Sequence, residues 1–207
     1  MLDIVKLSRP RFWLYLAGPY LVGFVFAADI SALLSAVFIV HFLYFLIPAN
    51  ILLYGVNDLA DGDTDAHNEK KGKKEVRLQK VHQKRVLDAV MVSAFLSLPL
   101  IGWFYSLHVL VVWLLFLSLS FFYSVAPVRF KARPFVDSLS NVLYIMPGIL
   151  AYVHVTGTFP PLLVILAGWA WVAAMHLFSA IPDIRADRMA KLKTTAVLVG
   201  HDWSLVA

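Results

Sequence analysis

The sequence predicts an all-α fold, a multi-span transmembrane helical bundle, on three observations. Its 207 residues are 60% hydrophobic and only 15% charged, where a soluble domain is about half apolar and about a quarter charged. Six apolar stretches of roughly 17 residues or more approach the length needed to cross a ~30 Å hydrocarbon layer. All 18 Lys and Arg residues fall on one side of those stretches. The absence of cysteine excludes disulfide scaffolds, zinc–thiolate centres, iron–sulfur clusters and thiol nucleophiles. The net charge of +5 therefore reads as a topology signal and an attraction to anionic lipid, not as affinity for nucleic acid.

The elements follow in order. A first span over about 12–28 is preceded by Lys6, Arg9 and Arg11, and a second, over 31–56, is followed by eight basic residues from Lys70 to Arg85. The third and fourth spans, 89–105 and 108–123, lead into Arg129, Lys131 and Arg133; the fifth and sixth, 139–155 and 161–181, lead into Arg185, Arg188, Lys191 and Lys193. The turns around Asp29, Ser106 and Gly157 hold no Lys or Arg. This is the positive-inside pattern of six spans with both ends cytosolic, joined on the outer side by tight hairpins. No internal repeat or second domain is visible, so 1–207 is expected to be one domain.

The 28-residue stretch 57–84 is the one long polar segment, and chemistry is sought there first. It opens Asn57-Asp58-Leu59-Ala60-Asp61-Gly62-Asp63-Thr64-Asp65. If the helix continues, Asp58, Asp61 and Asp65 stack on one face at 3.6 residues per turn, with Asp63 pointing elsewhere. Three aligned carboxylates repel one another unless a divalent cation sits among them, and hard oxygen ligands of this kind suit Mg²⁺ bridging to a substrate phosphate. Asp63 and Glu69 read as solvated loop. A second pair, Asp183 and Asp187, follows the sixth span at i, i+4, on the same membrane side by topology. Two such clusters across one cavity could hold two metal ions about a diphosphate.

A diphosphate's remaining charge needs cations, and Arg77, Arg129, Lys131 and Arg185 are on the right side. Arg129 and Lys131 stand out because they follow Tyr123-Ser124 directly at the end of span four. The 29 aromatic residues are expected to face lipid or the interface for the most part, with Tyr54 and Tyr123 placed where a cation would form. His41, His108, His154 and His176 lack a second ligand at metal spacing and read as structural or interfacial.

These residues resemble the UbiA superfamily of intramembrane prenyltransferases. Asn57-Asp58-x-x-Asp61-x-x-x-Asp65 is similar to that family's first aspartate-rich motif and Asp183-x-x-x-Asp187 to its second, while the loop from Tyr123 to Pro134 resembles the loop between them. The opening from Leu7 to Trp13 and the run from Asp65 to Arg77 resemble the lycopene elongase-like branch, and mark span one as a retained helix instead of a signal peptide. The family fold has nine transmembrane helices, so this chain is expected to be a UbiA-like domain incomplete at its C-terminus, lacking the last three.

The resemblance implies an enzyme, a prenyltransferase that moves an isoprenyl group from its diphosphate to an apolar acceptor. Asp58, Asp61, Asp65, Asp183 and Asp187 would hold two Mg²⁺ ions, Asn57 would assist them, and Arg77, Tyr123, Arg129 and Lys131 would contact the substrate. In the elongase-like branch the donor would be dimethylallyl diphosphate and the acceptor lycopene, in carotenoid biosynthesis; a quinone precursor is the alternative acceptor. The rival classes are an inactive remnant, a divalent-cation carrier and a CDP-alcohol phosphotransferase. A carrier would need carboxylates at mid-membrane depth, and the Asp-Gly-x-x-Ala-Arg core of the phosphotransferases is not matched at Asp61-Gly62.

Overall fold

The computed structural model describes residues 4–61, 80–103 and 106–206, and among them every regular element is helical. In chain order the principal helices are α1 (Leu14–Ala27), α2 (Ala36–Leu46), α3 (Pro48–Ala60), α4 (Gln83–Phe95), α5 (Ser97–Trp103), α6 (Leu107–Phe122), α7 (Met146–Thr156), α8 (Leu162–Ala180), α9 (Ile184–Met189) and α10 (Thr195–Val206). Four continuous runs are long and apolar enough to cross a membrane: Ala36–Ala60, Gln83–Trp103, Val136–Thr156 and Leu162–Met189. Leu107–Phe122 is apolar but shorter, and α1 has 14 residues with Pro19 inside it. Asp65 and Arg77 lie outside the described residues, as do Asp63 and Glu69.

Prolines divide the long runs where the apolar pattern alone predicts unbroken helices. Pro48 has no amide proton to donate, so α2 ends at Leu46 and α3 restarts with Pro48 in its first turn. The carbonyls released by that break are satisfied by the Asn50 side chain, whose Nδ2 donates to Phe45 O at 2.8 Å and Leu46 O at 3.0 Å. Pro147 likewise stands in the first turn of α7, which follows a 3₁₀ stretch, Ser140–Ile145. On the other side of the bundle, Ser35 and Ser106 accept from Phe38 N and Val109 N at 3.2 Å each, capping the helices that leave the hairpin turns. Gly157, at φ 72°, closes α7 in the left-handed region that glycine adopts without strain.

Between helices surrounded by lipid there is little hydrophobic driving force, so close packing decides which faces meet. Helices α1 and α7 run against each other through Gly23 and Gly148. A Cβ on Gly148 would lie 2.8 Å from the Pro19 carbonyl oxygen, and one on Gly23 would strike the Gly148 carbonyl. Around this crossing the rings of Tyr20, Phe45, Trp113 and Phe116 are almost wholly enclosed, with Phe45 stacked on Trp113 at 5.6 Å. Leu14, Val22, Leu34, Leu163 and Trp171 are exposed on the outside, as a lipid-facing surface requires.

The Gly148 contact is backbone against backbone, so no side chain can move aside for a larger residue. Gly148→Val is expected to destabilise the bundle by at least about 2 kcal/mol. The check is a drop in the thermal midpoint of detergent-solubilised protein, with Gly102→Val, where a Cβ meets nothing within 4 Å, as the reference.

Candidate functional site

The polar end of α3 is where distant parts of the chain converge. The helix stops at Ala60, and Asp61 caps it at φ −101°, ψ 13°. The single helical register expected to carry Asp58, Asp61 and Asp65 therefore ends before Asp61. Asn57 and Asp61 line a cavity of about 530 Å³, while Asp58, buried, accepts from Arg9 Nη2 at 2.8 Å. Arg9 comes from the short segment before α1, read from the sequence as a topology marker within the opening that resembles the elongase-like branch, and not as a site residue. It lines the cavity too, and its guanidinium carbon sits 4.5 Å from the centre of the Tyr54 ring.

The loop after α6 supplies the opposite charge. Lys131 N donates to Tyr123 O at 3.0 Å and Arg129 N to Val125 O at 2.9 Å, which fold the loop back over the end of α6. Arg129 adopts φ 43° to make that turn. Lys131 Nζ then reaches Asp61 Oδ1 in a close ion pair and Asn57 Oδ1 at 3.2 Å. Arg129 Nη2 stands 3.5 Å from Asp61 Oδ1. Ser124 Oγ donates to Asn57 Oδ1 at 2.9 Å, so one asparagine oxygen ties the loop to α3 twice.

The second acidic pair comes from beyond α8. Asp183 ends a 3₁₀ turn, Ile181–Asp183, and Asp187 lies in α9; both line the same cavity. Thr194 Oγ1 donates to Asp187 Oδ2 at 3.2 Å. Two carboxylates four positions apart that line one cavity repel each other and are a donor set that suits a hard divalent cation. Among the described residues no three Asp, Glu or His side chains gather into a metal-holding cluster.

Aromatic side chains make the wall between these charges and the core. Phe12, Tyr15, Tyr54 and Tyr144 line the cavity, with Phe12 and Tyr54 ring centres 5.8 Å apart and Tyr15 and Tyr144 6.2 Å apart. Tyr123 lines it as well, and His176 of α8 faces Tyr123 edge-on at 6.3 Å. His176 is thus a cavity residue, not the purely structural or interfacial one its isolation in the sequence suggested. Tyr15, Tyr144 and His176 carry no local motif that marks them, and Arg9 and Arg11 lie in the opening that resembles the elongase-like branch but were given no role in the site. Arg185 is exposed and is not among the lining residues.

The sequence model of the UbiA prenyltransferase family matches residues 16–207. The lycopene elongase/hydratase of Halobacterium salinarum is 48% identical over 205 residues, covering 96% of this chain and 72% of that protein. The lycopene elongase/hydratases of Haloarcula japonica and Haloferax volcanii are 44% and 45% identical, each over 96% of this chain and over 67% and 65% of their own lengths. Among solved structures, a UbiA homolog from Archaeoglobus fulgidus bound to DMAPP and Mg²⁺ superposes with a TM-score of 0.78 at 23% identity, covering 99% of this chain and 72% of that one. The same homolog bound to GPP and Mg²⁺ gives 0.79, over 98% and 71%.

The Lys131–Asp61 pair is open to direct measurement. Both side chains are largely enclosed, 12% and 9% exposed, and removing one partner strands a buried charge. Lys131→Met and Asp61→Asn should each lower the thermal midpoint, and the double variant should lose less than the sum. A coupling energy of about 1–3 kcal/mol in that cycle is expected.

Proposed function

Because the chain belongs to the UbiA prenyltransferase family, we propose that this cavity carries out Mg²⁺-dependent transfer of a dimethylallyl group from its diphosphate to lycopene. One observation carries the reading: cations and carboxylates from four separate segments face one another across a single cavity whose inner wall is aromatic. That division suits a substrate with a charged head and an apolar tail. The choice of donor and acceptor is supported by the lycopene elongase/hydratases at 44–48% identity, and by the isoprenyl diphosphates bound to the Archaeoglobus homolog.

Mg²⁺ held by Asp183 and Asp187, with Asp61, Asp58 and Asp65 completing a second set, would neutralise the departing diphosphate. Lys131 and Arg129 bind diphosphate oxygens at the mouth, where they now balance Asp61, and Arg9 and Arg11 close the other side, with Arg77 as a further cation. Asn57 holds the loop that carries Lys131. When the allylic carbon–oxygen bond breaks, the diphosphate leaves with its electron pair and the positive charge remains on the allyl carbons. Tyr54, Tyr144, Tyr123 and Phe12 face that charge with π-electrons, and the aromatic wall keeps water from capturing it. The electron-rich alkene of the acceptor, entering from the apolar side, forms the new carbon–carbon bond.

The test is turnover of radiolabelled dimethylallyl diphosphate in membranes from lycopene-containing cells. Products longer by five or ten carbons are expected, with chelation of Mg²⁺ abolishing them. Asp61→Ala or Asp183→Ala should reduce the rate at least about a hundredfold, while Asp88→Ala, on the exposed face of α4, should leave it unchanged. Prenylation of 4-hydroxybenzoate with lycopene left untouched would show that the acceptor is wrongly assigned.

We place the cavity on the cytosolic side, with six crossings, from the distribution of basic residues. Because the chain has no cysteine, single cysteines report their side cleanly. In intact cells a membrane-impermeant thiol reagent should label Asp29→Cys and Thr158→Cys and spare Arg85→Cys and Arg133→Cys; the reverse pattern would invert the topology.

A further inference from the structure

We propose that Asp137 is a positioning residue for the second acidic pair: it pins the start of α10, and the Thr194 hydroxyl held there keeps the Asp187 carboxylate in place for a divalent cation. The inference rests on the reading of Asp183 and Asp187 as Mg²⁺ ligands and adds what holds one of them. Asp137 itself is not among the residues lining the cavity.

The need for such a device is electrostatic. Asp183 and Asp187 line one cavity and repel each other until a cation arrives between them, so an unrestrained carboxylate turns away and the cation must draw it back. Mg²⁺ tolerates little departure from its preferred geometry, and partners that orient a ligating carboxylate beforehand therefore strengthen binding. The chain supplies one. After α9, Leu192 N donates to the Asp187 carbonyl oxygen at 2.9 Å, which brings the chain back past the site. Thr194 follows, and its hydroxyl accepts from Val197 N at 3.3 Å while donating to Asp187 Oδ2 at 3.2 Å. It caps α10 and holds the carboxylate at once. With the amide on a lone pair, the single hydroxyl hydrogen is left for Asp187.

That cap is only as fixed as the start of α10. Asp137, 1% exposed, stands in the helical turn Val136–Leu139 and grips Thr195 from 58 positions earlier in the sequence. Its Oδ2 accepts from Thr195 N at 2.7 Å, and its Oδ1 accepts from the Thr195 hydroxyl and from Ser138 N, the latter at 2.8 Å. The Thr195 hydroxyl in turn accepts from Phe135 N at 2.6 Å. Phe135 is at φ 68°, a conformation that a bulky side chain adopts only where its surroundings over-determine it. Among the described residues Asp137 makes no ion pair with Lys or Arg. An enclosed carboxylate without a cation is costly, and a neutral serine or asparagine would satisfy the amides at less expense. What the carboxylate adds is two charge-assisted bonds to one residue, at its backbone and at its side chain. Thr195 is thereby fixed in position, and Thr194 beside it.

The experiment titrates Mn²⁺, which takes the same oxygen ligands as Mg²⁺, into detergent-solubilised protein and reads the free ion by electron paramagnetic resonance. Asp137→Asn sets an NH₂ group against a donor, and Thr194→Val keeps the shape without the hydroxyl; each should raise the dissociation constant about ten- to a hundredfold. Thr194→Ser, which keeps the hydroxyl, should recover wild-type affinity. Because the two residues act in series, the double variant should bind no more weakly than the weaker single variant. In turnover, the Mg²⁺ concentration giving half the maximal rate should rise in step while the rate at saturating Mg²⁺ is largely retained. Ser204→Ala removes a buried bond inside α10, from Ser204 Oγ to Gly200 O at 2.7 Å, and should lower the thermal midpoint without changing Mn²⁺ affinity. Where Asp137→Asn does not fold, Thr195→Val cuts the same link, with the same loss expected. Wild-type affinity in Thr194→Val or in the variant that cuts the Asp137–Thr195 link overturns the assignment, as do additive losses in the double variant. An equal loss in Ser204→Ala also overturns it, since any loosening of α10 would then suffice. A wild type that takes up no Mn²⁺ would instead overturn the reading of Asp183 and Asp187 as metal ligands, and this assignment with it.

Discussion

The ion pair between Lys131 and Asp61 joins residues 70 positions apart, and the polar end of the bundle is organised around it. A carboxylate enclosed at a helix end near lipid is tolerable only with a cation against it. That requirement forces the loop after α6 to fold back until Lys131 arrives, and the fold-back sets Arg129 and Ser124 against Asp61 and Asn57. Arg9 answers Asp58 in the same way from the opposite direction. Once both carboxylates are balanced, the segment before α1 and the loop after α6 become two walls of one cavity. The aromatic side chains on α1 and α3 then have a charged space to border.

Much of this could be read in the sequence, and the reasons for what could not are physical. The apolar runs and the one-sided basic residues report on insertion, which depends on each segment separately, so helices appear where hydropathy places them. Where a run breaks depends on single prolines and on whether a side chain such as Asn50 can satisfy the carbonyls they release. The acidic residues Asp61, Asp183 and Asp187 announced themselves by spacing at helix ends and do line the cavity. The expected common register for Asp58 and Asp61 did not anticipate that the helix would terminate at Ala60, with the two carboxylates turned to different cations.

Arg9 and His176 show the other limit. A basic residue before an apolar run satisfies the positive-inside pattern whether or not it touches anything, so its role in topology hides its role in the site. A histidine within an apolar helix has no local partner to betray it, because its ring neighbour Tyr123, just past the end of α6, is 53 residues away in sequence. Both were legible only after the helices were placed side by side. Motifs within one segment survive in sequence; a site assembled across segments leaves single residues that resemble background.

The two halves of the bundle handle buried polarity in opposite ways, and the difference bears on chemistry. At the cavity end charges are paired across segments and open to a space that can hold a charged ligand. Toward the other end His41, stacked on Tyr20 at 6.0 Å and edge-on to His154 at 4.5 Å, is sealed within the aromatic core. A carbocation formed between these regions meets carboxylates and diphosphate on one side and close-packed rings on the other. Its lifetime is then governed by the boundary between them, the band formed by Tyr54, Tyr123, Tyr144 and His176.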